Sequence, residues 1–358
     1  MHDPRAVLSG LATASPGEPV PQERLKTLLA ERWIGSDAAL RATLGVFDSS
    51  GVRTRHLALP LEAYGAETPF PDRNRTFLTR ARELNVEVSR RALARAGLAP
   101  DDVTHVVMVT STGIFTPSLD AWLFNDLGLP ATVRRAPLWG LGCGGGGAGL
   151  GLAADLARTR PDAVVLLVVI ELCSLAFVPG DRSKRNLVAS ALFGDGVAAA
   201  VVAGSGRGLE LAAHRTTTWP DTLDMMGWDV TEQGLELVLS RNLPAFTRSR
   251  MGAVFADLKR AAGLRRDEVP AFAALHPGGP KVLEALGESL GLPPALLEPA
   301  RRTLARYGNM SAPTFLYVLE EILRETPEPA GTGMYSVLGP GFTCDAGVLT
   351  PSLVPAAR

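Results

Sequence analysis

The chain reads as an α/β protein made of two related halves, with helices and sheets stacked in layers. Three observations carry that reading. Strand-like apolar runs alternate with helical ones along most of the 358 residues, the order that gives layered α/β folds. The run Val164-Val165-Leu166-Leu167-Val168-Val169 has no polar position, so its strand is covered on both faces. One pattern also occurs twice: Ala96-Gly97-Leu98-Ala99-Pro100-Asp101-Asp102-Val103 returns 166 residues later as Ala262-Gly263-Leu264-Arg265-Arg266-Asp267-Glu268-Val269. Repetition at a fixed shift is the mark of duplicated units.

The elements follow in order. Each copy of the pattern ends a helix at a glycine, which suits a left-handed cap. Strands are then expected over 103–110 and 269–275. The same shift lays Gly142-Cys143 onto Gly308-Asn309. Apolar helices follow over 146–158 and 312–324, then strands over 163–170 and 333–338. Closing strands are expected over 196–203 and 343–350, with Asp195-Gly196 as a hairpin turn. The first half spans 1–210 and the second 235–358. Residues 211–234, with Pro220, Gly227 and several threonines, read as a connecting loop. The halves pack about a pseudo-two-fold axis.

Composition narrows the function. Net charge is −1, so no electrostatic argument favours nucleic acid or an anionic membrane. Three scattered cysteines (143, 173 and 344) suit neither a disulfide framework nor a Cys-rich zinc site. A reducing cytoplasm fits best. The start, Met1-His2-Asp3-Pro4-Arg5, is not a signal peptide. The longest strongly apolar run, 163–170, falls far short of the ~20 residues that span a bilayer.

The chemistry centres on Cys143, set between Gly142 and the run Gly144 to Gly147 and followed by a helix. A thiol at a helix start meets unpaired N–H groups and the positive end of the dipole. It is expected to ionise readily and act as a nucleophile that carries an acyl group. Of the five histidines (2, 56, 105, 214 and 276), only His276 follows a strand and precedes a glycine turn, in His276-Pro277-Gly278-Gly279-Pro280. With Asn309 at the place equivalent to Cys143, the two halves would bring Cys143, His276 and Asn309 into one cleft. Two N–H donors, from His276 and Asn309, suit the enolate that forms when a malonyl thioester loses carbon dioxide. That enolate attacks the held acyl group and makes a carbon–carbon bond, with no metal or redox cofactor.

These residues carry a resemblance along nearly the whole chain to the type III polyketide synthases, the chalcone and stilbene synthase family. The matching pieces are Gly142-Cys143 with its glycines, Ala191-Leu192-Phe193-Gly194-Asp195-Gly196, His276-Pro277-Gly278-Gly279-Pro280, Gly308-Asn309-Met310-Ser311 and Gly339-Pro340-Gly341. The resemblance implies a thiolase-like αβαβα fold, a homodimer, and Cys143, His276 and Asn309 as catalytic residues. It implies malonyl-CoA and acyl-CoA as substrates, with CoA thioesters taking the place of any cofactor. Phe193 would be the aromatic gatekeeper, and Leu237 stands where plant members have a second phenylalanine. Ser111, Cys173 and Ala176 replace pocket threonines, and Thr112 and Gly278 join the substrate-binding set. Thr112-Gly113 lacks the cysteine of bacterial tetrahydroxynaphthalene synthases. Ser49 falls where a CoA-gripping lysine is expected, which leaves Arg53, Arg55 and Arg41 as CoA candidates.

The stretches around Phe115, Glu171 and Met226 resemble bacterial enzymes that make alkylpyrones and alkylresorcinols from fatty acyl-CoA. That product class is the expectation. Alternatives within the chemistry are a germicidin-like synthase with a short or branched starter and a condensing enzyme like ketoacyl synthase III. Gly140-Leu141-Gly142-Cys143-Gly144-Gly145 also matches the G-x-G-x-x-G of dinucleotide-binding proteins, with Glu171 as the ribose-binding acid. Pro137, Arg134 and Arg135 spoil the strand that reading needs, and it leaves His276, Asn309 and the duplication unexplained.

Overall fold

A computed structural model of the chain describes residues 5–35, 37–178, 181 and 183–352. Met1 to Pro4 of the N-terminal stretch, and the last six residues of the second half, lie outside the described residues.

Among the described residues, thirteen strands form in chain order: β1 (Val7–Ala14), β2 (Val20–Pro21), β3 (Thr54–Arg55), β4 (His105–Thr110), β5 (Arg134–Trp139), β6 (Val164–Leu172), β7 (Asp195–Ala203), β8 (Gly208–Thr218), β9 (Met226–Thr231), β10 (Gly234–Leu239), β11 (Phe272–Leu275), β12 (Gly333–Gly339) and β13 (Thr343–Ser352). Nine of them join in one sheet, ordered β11-β12-β13-β8-β1-β7-β6-β4-β5.

The duplication is visible in that order. Outward from the centre, β1-β7-β6-β4 mirrors β8-β13-β12-β11. The pairings match too: antiparallel, antiparallel, then parallel on each side. β1 and β8 meet antiparallel where a pseudo-two-fold axis requires it.

Alternation along the strands builds the layers. On β7, Ala198, Ala200 and Val202 face one core while Val197, Ala199 and Val201 face another. Successive strand residues point to opposite faces, and both faces here are covered, as the unbroken apolar runs require. The central core contains the helices Gly145–Ala157 and Thr314–Glu325, one from each half. One outer layer is the helix Phe70–Ala96, which buries Phe77, Ala81, Leu84, Val88 and Ala92 at helical spacing. It stops at Gly97, whose φ of 70° is the left-handed cap expected of it. The helix Leu243–Ala261 covers the matching face of the second half. The fold is thus thiolase-like: the two halves of the nine-stranded sheet pack against the central helix pair, and helices cover their other faces.

Three expectations need correction. Much of the predicted loop at 211–234 is strand: β8 runs to Thr218, and β9 with β10 forms a hairpin. Leu211, Ala213 and Met225 are buried there, and that tertiary burial outweighs the local turn composition. Asp195-Gly196 opens β7 instead of turning a hairpin, because the buried Asp195 carboxylate accepts hydrogen bonds from Ala58 N–H and Ser174 N–H. Pro137 and the two arginines do not abolish the strand before the glycines. They lie on β5, at the sheet edge, where proline is tolerated.

Candidate active site

Cys143, His276 and Asn309 line one cavity of about 510 Å³, together with Phe193, Leu237 and Gly278. Cys143 occupies a single helical turn, Gly142–Gly144, that leads into the helix Gly145–Ala157. His276 stands just past β11, its N–H donating to Ser336 O at 2.9 Å. Asn309 follows the helix Glu298–Tyr307. The two halves therefore converge as the repeat implied.

The glycine run serves this convergence. A Cβ on Gly146 would lie 2.3 Å from Ala312 O, and one on Gly144 would lie 3.1 Å from Gly339 Cα. Side chains there would hold the second half away from the turn that carries Cys143. The same closeness argues against a dinucleotide phosphate at these glycines, since a Cβ on Gly142 would meet Pro340 at 2.9 Å.

Asn309 does not head the following helix, which begins at Thr314 with Pro313 as its cap. The backbone fixes it instead. Asn309 N–H donates to Leu192 O at 2.9 Å, and Gly194 N–H donates to Asn309 O at 3.0 Å, so Asn309 and Phe193 form a bridge between the halves. Ser311 N–H donates to Asn309 Oδ1 at 2.7 Å. That bond directs the amide nitrogen away, toward Gly278 O at a long 3.4 Å. The amide N–H groups thus face Gly278 and Cys143.

His276 is buried, yet neither ring nitrogen has a hydrogen-bond partner. Buried polar atoms are nearly always paired, so both ring nitrogens stand available on the cavity wall. Burial pushes the imidazole down to about 4. For Cys143, burial pushes the thiol up to about 11, while hydrogen bonds from Ser311 and Asn309 oppose the rise. Burial and the Glu171 charge thus work against the readily ionised thiol expected at the helix start. Taken singly, both groups are neutral at pH 7.

Near Cys143 lies a carboxylate whose setting the sequence did not reveal. Glu171 is fully buried. Its Oε2 accepts from Ser111 N–H at 3.0 Å and Thr112 Oγ1 at 2.5 Å. Burial pushes it up to about 7 despite those bonds. Ser111 Oγ accepts from Gly142 N–H at 2.9 Å. Ser111 and Thr112 are therefore not in the cavity wall, contrary to their placement among substrate-binding residues. They tie Glu171 and the peptide before Cys143 in place, because the strand end turns them inward.

Cys173 and Ala176 line a second, much smaller cavity. Phe193, Trp228 and Leu237 border both spaces. Trp228 pairs with Leu237 across the β9–β10 hairpin, and its ring lies 6.1 Å from that of Phe193. The indole thus fills part of the room left by Leu237. Sequence reasoning missed it because the hairpin was read as loop.

The CoA candidates also change. Arg55 is fully buried and donates to Ser190 O, Ala191 O and Phe193 O, where the helix Lys184–Leu192 ends. It ties down the backbone at Phe193 and has no face for a phosphate. Arg53 and Arg41 are exposed but absent from the cavity wall, and Arg41 Nε donates to Gly35 O at 2.8 Å. The cations that do line the cavity are Arg241 and Lys281.

Comparison with known proteins agrees with this architecture. The model of the chalcone and stilbene synthase N-terminal domain matches residues 2–206, and that of the C-terminal domain matches 210–353. A 1,3,6,8-tetrahydroxynaphthalene synthase of Streptomyces peucetius subsp. caesius is 39% identical over 94% of this chain and 91% of its own. An alpha-pyrone synthesis polyketide synthase-like protein of Mycobacterium tuberculosis is 32% identical over 95% and 90%. The crystal structure of 1,3,6,8-tetrahydroxynaphthalene synthase from Streptomyces coelicolor A3(2), a bacterial type III polyketide synthase, superposes with a TM-score of 0.92 at 32% identity, covering 97% of this chain and 99% of that one. With family models spanning both halves and relatives matched almost end to end, the chain belongs to the chalcone and stilbene synthase family and is a bacterial type III polyketide synthase, a carbon–carbon bond-forming transferase.

Proposed function

We propose that the enzyme loads a fatty acyl group from CoA onto Cys143, extends it with malonyl-CoA and releases an alkylpyrone or alkylresorcinol. One observation carries this reading: the cavity that holds Cys143, His276 and Asn309 is walled mostly by apolar side chains such as Val188, Leu192, Met226 and Leu243. The similar mycobacterial protein, described as an alpha-pyrone synthesis enzyme, supports the product class.

The steps balance without a resident cofactor. Cys143 Sγ attacks the acyl thioester carbon, the C–S bond to CoA breaks, and the thiol proton passes through His276 to the leaving CoA thiolate. Malonyl-CoA then binds with its thioester oxygen toward Asn309 Nδ2 and the imidazole. The C–C bond to its carboxylate breaks, carbon dioxide leaves, and the electron pair moves into the enolate. The enolate carbon attacks the acyl carbon and displaces Cys143 Sγ.

Moving one proton from Sγ to the ring replaces two separately costly buried charges with one pair. Removing the ring should therefore raise the thiol. In His276→Ala, alkylation of Cys143 by iodoacetamide should shift to higher pH, because the ring can no longer take the proton of a thiol that burial already pushes up. The thiolate fraction at neutral pH would fall accordingly. An alkylation profile identical to the native one would remove His276 from the activation step.

Chain length follows from the partition between the two cavities. Trp228→Ala should join them and shift acceptance toward longer acyl-CoAs. Leu237→Phe should fill volume and shift it toward shorter ones. Product mass spectrometry across acyl-CoAs of graded length reads both, and unchanged profiles would argue that the alkyl chain runs elsewhere. The same experiment tests the whole proposal. Aliphatic starters should outpace aromatic ones, and a naphthalene product primed by malonyl-CoA alone would overturn the fatty-starter reading.

A homodimer in the cytoplasm belongs to the same proposal. β5 ends the sheet with an unpaired edge, and Trp139 and Ile114 beside it are 50% and 39% exposed. Such an edge is a template for pairing with a second copy. All three cysteines are free, as a reducing compartment would keep them.

A further inference from the structure

We propose that Arg241 and Lys281, both from the second half, form the phosphate grip for CoA thioesters at the cavity mouth. This rests on the condensing reading above. Both line the same cavity as Cys143, and both are exposed where Cys143, His276 and Asn309 are buried. They stand at the solvent end of a space whose far end is the nucleophile. CoA has that polarity: a thioester at one end, a diphosphate and a 3′-phosphate at the other.

The charge pattern is specific. Among the described residues, neither Arg241 nor Lys281 enters an ion pair or a side-chain hydrogen bond. On the helix Leu243–Ala261 that follows Arg241, Arg248 pairs with Glu288 and Arg260 with Asp257, while Arg250 lies over the Phe246 ring. No carboxylate lines the cavity. Two unpaired cations at the rim of an acid-free, largely apolar cleft suit a polyanion attached to an acyl chain. Ser49 lines the cavity from the first half, at the place where the family resemblance calls for a lysine. That wall is neutral here, and the charge stands on the other half.

The test compares substrates with and without phosphates. For Lys281→Ala, Arg241→Ala and the double variant, kcat/KM is measured with malonyl-CoA plus acyl-CoA, and with the corresponding N-acetylcysteamine thioesters. The latter keep the malonyl carboxylate and lose every phosphate. In the double variant the ratio of CoA to N-acetylcysteamine turnover should fall by about tenfold, chiefly through KM. Taking a ratio cancels any loss of folded protein. Lys281→Arg should restore most of the single-variant loss. The native enzyme should also lose CoA affinity as salt rises, with a flatter slope in the double variant. An unchanged ratio in an active enzyme overturns this inference alone. Failure of the native enzyme to condense either class of thioester overturns both it and the condensing reading.

Discussion

Cys143→Ser should abolish acyl loading while leaving malonyl-CoA decarboxylation in place. The serine hydroxyl is nearly isosteric with the thiol, so the contacts with Ser311 and Asn309 should persist. What changes is acidity. Burial already pushes the thiol up to about 11, and a buried alcohol ionises far less readily still. Condensation should fall by a factor on the order of 10⁴ or more, as for other removed nucleophiles. Release of carbon dioxide should continue, because it depends on His276 and Asn309. Intact-protein mass spectrometry after incubation with acyl-CoA reads the first effect, and labelled carbon dioxide from malonyl-CoA reads the second. A serine variant that still condenses acyl groups at the native rate would assign the nucleophile to another residue.

Asn309→Asp should give the reverse pattern. The new carboxylate keeps the shape and can still accept the Ser311 N–H bond now made at 2.7 Å. It loses the Nδ2 donor and sets an anion where the enolate charge develops. Removing one such donor costs a factor of about 10² to 10³, and the added repulsion raises that figure. Acyl loading on Cys143 should survive. The two variants therefore separate the half-reactions, and a variant that released carbon dioxide at the native rate would end the donor role of Asn309.

Much of this was legible in the sequence because it rests on local pattern. Unbroken apolar runs marked β6 and β7, and a single shift of 166 residues aligned the halves and brought Cys143 and Asn309 together. The strand-end position of His276 was readable in the same way. The rest depends on contacts between distant segments. Glu171 and Asp195 are polar residues in apolar surroundings, and only the folded chain shows that each is fully buried and tied by hydrogen bonds. Arg55 looks like any surface cation until the end of the helix Lys184–Leu192 is packed against it. Trp228 acquires meaning only when β9 pairs with β10 and sets it opposite Leu237. The state of Cys143 reflects burial and the Glu171 charge against hydrogen bonds from Ser311 and Asn309, groups that only the folded chain brings together.

The nucleophile is tested most directly on the native enzyme by a pulse of labelled acyl-CoA, followed by proteolysis and peptide mass spectrometry, with and without a chase of malonyl-CoA. The account predicts label on the peptide that contains Cys143, discharged by the chase into a product lengthened by malonyl-derived carbons. Label on a peptide containing Cys173 or Cys344, or label on Cys143 that malonyl-CoA cannot discharge, would contradict it.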